Sequence, residues 1–85
     1  MVHELKCWPE YFEAVISGAK TFEVRKNDRD FRVGDVLLLN EYGPFSGYTG
    51  RETRQIVNYI LPFSKIPGIE PVLNFCIMSI GYIPE

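Results

Sequence analysis

The sequence predicts a mainly β fold of the α+β class. One prominent helix follows the first strand, and four further strands curl into a small mixed sheet or partly closed barrel. Three observations carry this. Apolar residues recur at helical spacing in one place only, at Phe12, Val15, Ile16 and Ala19. From Thr21 the period becomes two. Beyond that, short apolar runs alternate with glycine- and proline-bearing segments. The 85 residues make one domain, 1–85, with no repeat, low-complexity segment or linker.

His3 to Cys7 reads as the first strand. Pro9 opens the helix, because its missing N–H costs nothing in the first turn. Glu10 follows, near the positive end of the helix dipole, and Gly18 caps the other end. In the next strand Phe22 and Val24 point one way, as the anchor to the core, and Thr21, Glu23 and Arg25 point the other. Asn27-Asp28-Arg29-Asp30 is a polar turn. Val33-Gly34-Asp35 turns the chain into Val36 to Leu39, a strand buried on both faces. GPFSGYTG, 43–50, holds three glycines and a proline and reads as a loop with exposed aromatics. Gln55 to Leu61 is another strand. PFSKIPGIEP, 62–71, has three prolines and cannot be a central strand. Phe75 to Ile80 is the last strand, ended by Gly81 and Pro84.

At 46% hydrophobic and 14% aromatic, the chain is too apolar for disorder. A formal charge of -2 argues against a sequence-blind polyanion binder but leaves room for a local basic patch. The apolar runs are too short to span a bilayer, so no membrane partner is expected. MVHELKCWPE carries charges where a signal peptide needs an apolar core, so the expected location is cytoplasmic. Cys7 and Cys76 are then buried thiols rather than a disulfide. With His3 they do not make a zinc set, and neither a metal nor another cofactor is expected.

The charges concentrate in SGAKTFEVRKND, 17–28. Glu23 and Arg25, two apart on a strand, share one face about 7 Å apart. Lys20, at the helix-to-strand junction, reaches the same region. An ammonium, a carboxylate and a guanidinium together suit a nucleobase or a phosphate, since the planar guanidinium reads acceptor pairs and stacks on bases. The same trio suits acid–base chemistry if burial shifts its lysine or glutamate. The plainer alternative is a solvated ion pair worth under about 1 kcal/mol, beside an ordinary polar turn.

GAKTFEVR, Gly18 to Arg25, resembles the G-x-K-x-x-E-x-R signature of the ASCH family of the PUA-like superfamily. Val33-Gly34-Asp35 resembles the turn that follows it there. The string from His3 to Tyr42, with GYTGR and a later strand, is similar to a small bacterial and phage branch of ASCH-like proteins with a domain-of-unknown-function label. The resemblance runs from His3 to about Ile80. It implies a small PUA-like β-barrel, a helix beside a cleft, Lys20, Glu23 and Arg25 facing that cleft, and RNA binding. One ASCH branch is an amidohydrolase on acylated cytidines, using a motif lysine, a threonine and a later glutamate. Lys20 matches the lysine, but Glu23 stands in the threonine's place. No acid matches the later glutamate, and Glu70 lies in the proline-rich loop. Losing the nucleophile would remove the covalent route.

Three functions are therefore carried forward. The first is an RNA- or nucleotide-binding module. In it Lys20 and Arg25 contact phosphate or base acceptors, and Glu23 orients Arg25 or accepts from a base amino group. Lys26, Asn27, Arg29 and Arg51 extend the rim, and Tyr48 stacks. Trp8 either stacks on a base or packs on the first helical turn. The second is an amidohydrolase with Lys20 and Glu23 in acid–base roles. The third is a protein-interaction module of a phage or mobile element, with Phe45, Tyr48, Phe63 and Ile66 as an apolar patch. His3 is expected to be structural, and the oligomeric state is left open.

Overall fold

The structure, a computed structural model, describes residues 1–70 and 74–83. Pro71 and Pro84, both singled out in the sequence, lie outside the described residues. The element order is β1 (Val2–Cys7), α1 (Pro9–Ile16), β2 (Phe22–Lys26), β3 (Val36–Gly43), β4 (Gly47–Pro62), a short 3-10 turn (Phe63–Lys65) and β5 (Phe75–Tyr82). This is the expected mainly β fold, with one helix after the first strand. The five strands form one curled sheet in the order β1-β3-β4-β5-β2. Among the described residues only β1 and β3 pair in parallel. The ladders β3–β4, β4–β5 and β2–β5 are antiparallel.

Strict alternation decides the inner face. Along β1, His3, Leu5 and Cys7 are buried and their neighbours exposed. Parallel register sets them beside Leu37, Leu39 and Glu41 of β3. Val57, Cys76, Met78 and Ile80 complete the wall, and Phe12 and Val15 of α1 pack into it. Full burial of a side chain such as Phe12 stabilises the fold by roughly 1.5–3 kcal/mol. Leu38, on the other face of β3, is also buried, so Leu37 to Leu39 are covered on both faces as expected.

The helix stops where the sequence placed the stop. Gly18 takes φ +83° and gives its N–H to the Val15 carbonyl, while Lys20 N–H reaches the Ala14 carbonyl. Ala19 lies past the helix and is exposed, so it is not part of the apolar helical face.

The loop expected over 43–50 is instead the tip of a hairpin. Gly43 pairs with Gly47, leaving Pro44, Phe45 and Ser46 to turn the chain, and Gly47 takes φ +66°. A three-residue connection closed by a left-handed glycine keeps both strands in register. β4 therefore starts at Gly47 rather than Gln55, and Tyr48 is a strand residue opposite Tyr42. Phe63 and Ile66 are half-buried, and Phe63 packs on Phe75 with ring centroids 5.8 Å apart. They do not add to an exposed apolar patch.

His3 has a structural partner. Its Nε2 lies 2.7 Å from Asp35 Oδ2, and because a carboxylate only accepts, Nε2 donates. Asp35 also accepts from Arg32 N–H at 3.1 Å and from the Met1 ammonium at 3.2 Å. Its backbone pairs with Val57. This aspartate fastens the start of β1 to the turn before β3. The His3 hydrogen bond is the main cause holding its carboxyl below the ordinary range, against desolvation. A depressed carboxyl adds stability that is complete above its unfolded pKa, about 3.9, and disappears as pH falls through the folded value. Asp35→Asn is expected to lower the unfolding free energy by about 1–3 kcal/mol at neutral pH. Urea midpoints measured between neutral pH and pH 3 should fall more steeply in the wild type than in the variant. Parallel curves would rule out this anchor.

Candidate functional site

Strand β2 is turned opposite to its hydrophobic pattern. Phe22 and Val24, expected to anchor it, are 44% and 46% exposed, whereas Glu23 is 3% exposed. The pattern fixed which residues share a face, but the inward face is the charged one. A buried carboxylate is costly unless its oxygens are paired. Here Lys20 Nζ donates to Glu23 Oε1 at 2.6 Å and Arg25 Nε to Oε2 at 2.9 Å. Lys20 also donates to the Phe22 carbonyl at 2.8 Å. Register places Glu23 beside Met78 and Arg25 beside Cys76 on the inner wall. The exposed Phe22 ring lies 5.1 Å from the Lys20 ammonium.

Arg25 does a second job. β1 and β2 are the two ends of the sheet order, and arginine side chains cross between them. Arg25 NH2 donates to the Lys6 carbonyl at 2.8 Å, and Arg29 NH1 to the Glu4 carbonyl at 3.0 Å. A planar guanidinium can hold a carboxylate on one edge and a backbone carbonyl on another. Among the described residues NH1 of Arg25 makes no hydrogen bond.

Beside this bridge lie, among others, two clefts that are each lined by Lys6 and Arg25. One, of about 540 Å³, adds Cys7, Trp8, Tyr11, Lys20 and Glu23. Burial first, then nearby Glu23, pushes the Cys7 thiol up, with Lys20 and Arg25 opposing. It is therefore a poor thiolate. Cys76 is likewise buried and raised, and both cysteines are free. The other cleft, of about 580 Å³, is lined by four cations (Lys6, Arg25, Arg29, Arg51) and three carboxylates (Glu4, Glu41, Glu52). Its wall is thus of mixed charge rather than a purely electropositive rim.

Aromatic rings flank these clefts. Trp8, half exposed, turns an edge to Tyr42 at 6.4 Å, and Tyr42 meets Tyr48 at 4.9 Å. The Lys6 ammonium lies 4.3 Å from the Tyr42 centroid. Tyr48 itself is 61% exposed.

The other expected site residues separate. Arg51 lines the larger cleft, but its NH1 is engaged by Glu13 of α1 at 2.6 Å. Lys26 is exposed and borders a smaller hollow with Asp28 and Arg29. Asn27 holds the turn: its Oδ1 accepts from Phe31 N–H at 3.2 Å. Glu41, Lys6 and Tyr42 were not singled out from the sequence. Glu41 had a signal, since it continues the period-two series of Leu37 and Leu39. No group of three or more potential metal ligands occurs among the described residues.

A family model described as Domain of unknown function (DUF3850) matches residues 2–80. An "Uncharacterized 12.9 kDa protein in GpA 3'region" of Escherichia phage P2 is 44% identical over 48 residues. That match covers 54% of this chain and 44% of the phage protein, so the chain spans less than half of that relative's length. The crystal structure of hypothetical protein PH0355 has the same fold, with a TM-score of 0.69 at 18% identity. The match covers 98% of this chain and 100% of that one.

The inverted face gives a direct test. Glu23→Gln removes the charge that Lys20 and Arg25 share and is expected to cost about 1–3 kcal/mol. Phe22→Ser, at an exposed position, should stay within about 0.5 kcal/mol of the wild type. Chemical denaturation of both variants checks the pair, and the reverse ranking would overturn the orientation of β2.

Proposed function

The chain belongs to the DUF3850 family, and on that premise we propose that it is a binding module for RNA or a nucleotide-like ligand. In this reading it is an ASCH-like domain of the PUA-like type working in the cytoplasm. The observation that carries the reading is the state of Arg25. Glu23 and the Lys6 carbonyl fix its guanidinium at two points, while NH1 makes no hydrogen bond among the described residues. An arginine fixed beforehand loses little side-chain entropy on binding, so more of its interaction appears as affinity. It borders both clefts, and the half-exposed Trp8 and exposed Tyr48 are close enough to its surroundings to supply stacking.

Single-stranded or isolated nucleotides fit better than duplex. Stacking needs an unpaired base, and the aromatic rings lie beside clefts of nucleotide size rather than along a flat basic face. The mixed charge of the larger cleft suits a ligand read by a few directed hydrogen bonds. The amidohydrolase reading has less support. Lys20 and Glu23 hold each other, and Glu23's second oxygen is held by Arg25, so neither is left as a ready base.

Binding of a short mixed-sequence single-stranded RNA, followed by calorimetry, tests the proposal. Arg25→Ala is expected to weaken it by roughly 1.5–3 kcal/mol, the worth of hydrogen bonds to charged groups. Tyr48→Ala should lose about 1–3 kcal/mol, one stacked base. Affinity should fall only shallowly with salt, because few phosphates are neutralised. Unchanged affinity in both variants, or no binding by the wild type, would refute the module.

A further inference from the structure

One buried group in the larger cleft has no part in the arginine bridge. Glu41 is 5% exposed and lines the cleft with Arg25, Lys6 and Tyr48. Its Oε1 accepts from the Thr49 hydroxyl at 2.7 Å. Its Oε2 lies 3.6 Å from Arg51 NH1, which is too long for a hydrogen bond, and that NH1 already donates to Glu13. Oε2 is thus an anionic acceptor, on a side chain more than nine-tenths buried, with no hydrogen-bond donor among the described residues.

The backbone opposite is built around this carboxylate. The β3–β4 register shifts between Asn40 and Tyr42: Asn40 pairs with Glu52 but Tyr42 with Tyr48. Thr49, Gly50 and Arg51 therefore bulge against Glu41 alone, with Gly50 at φ +89°. Such a bulge re-aims side chains. Here it brings the Thr49 hydroxyl onto Oε1, and the same hydroxyl accepts from Arg51 N–H at 3.2 Å.

We propose that Glu41 is the specificity-determining residue of this cleft, and that it selects a nucleobase carrying an exocyclic amino group. The proposal rests on the nucleotide-binding reading above and names its ligand class. Glu23 is the less available base-reading acceptor, because each of its oxygens already accepts from Lys20 or Arg25. Glu41 supplies the acceptor instead, and Arg25 supplies donors on the same cleft wall. A carboxylate accepts from an amino group such as that of cytosine. A base with an oxo group in that place sets lone pair against lone pair across Oε2. Sites built around a buried polar group reject such analogues strongly.

Calorimetric titration of the protein with CMP, AMP and GMP, against UMP and IMP, tests this. The tightest ligand should carry an exocyclic amino group and exceed its counterpart lacking it (UMP for CMP, IMP for AMP or GMP) by at least about tenfold. Glu41→Gln should shrink that preference to within about twofold, weakening the amino-bearing nucleotides and relieving the clash with the oxo group of UMP, a change in selectivity that a merely structural role would not produce. If Glu41→Gln does not fold, Glu41→Asp, with its shorter reach, should reduce the preference in the same sense. Equal affinity for amino and oxo bases, or a preference that survives the substitution, would overturn the role of Glu41 and leave the binding module standing. Failure of every nucleotide to bind would overturn both.

Discussion

The sheet does not close on itself, and two arginines hold the gap. β1 and β2 stand at opposite ends of the strand order, yet Arg25 of β2 and Arg29 of the turn after it reach the carbonyls of Lys6 and Glu4 on β1. A backbone ladder there would place amides against amides and leave no clefts. Side-chain bridges satisfy edge carbonyls at intervals and keep the strands apart. Glu23 is the counterpart that makes this workable, because it pairs with both Arg25 and Lys20 from the buried side. The G-x-K-x-x-E-x-R spacing is therefore structural before it is anything else. It places one carboxylate between two cations and points one of them across the gap.

Much of this was legible in the sequence, for identifiable reasons. The helix was legible because proline, periodic apolar residues and a left-handed glycine agree on one element. The strand count was legible because alternation and turn residues are local signals. The burial of Glu23 was not. Period two tells which side chains share a face, but which face turns inward depends on partners elsewhere, here Lys20, Arg25 and the β5 wall. On this terminal strand an apolar pair was left outside. The hairpin was also misread, since glycines that permit a bulge and a tight turn look, in sequence, like a loop. Spacing in the sequence groups Lys20, Glu23 and Arg25, whereas Tyr42 and Lys6 come beside them only through cross-strand register. Asn27 was chosen for polarity, and its side chain serves the turn.

The modest negative charge of the whole chain and its basic motif are compatible once the distribution is seen. Among the cations around the clefts, Arg51 is paired with Glu13, while Lys20 and Arg25 share the one carboxylate of Glu23. Such a surface has little long-range pull on a polyanion. What it offers is short-range geometry, with donors, carboxylates and ring faces held by strands rather than by a flexible tip. Recognition built this way depends on fit more than on charge.

The strand order also sets when the site can exist. β2 joins the sheet through β5, so the segment carrying Lys20, Glu23 and Arg25 has no inner wall until Cys76 and Met78 arrive. As the chain leaves the ribosome, β3 and β4 can pair as a hairpin long before that. β2 must wait, with its glutamate still hydrated and its two apolar residues exposed. Contacts this distant in sequence are slow to form. The motif is thus synthesised early and assembled last, and during that interval the nascent domain presents an unpaired strand that needs protection from pairing with a neighbour.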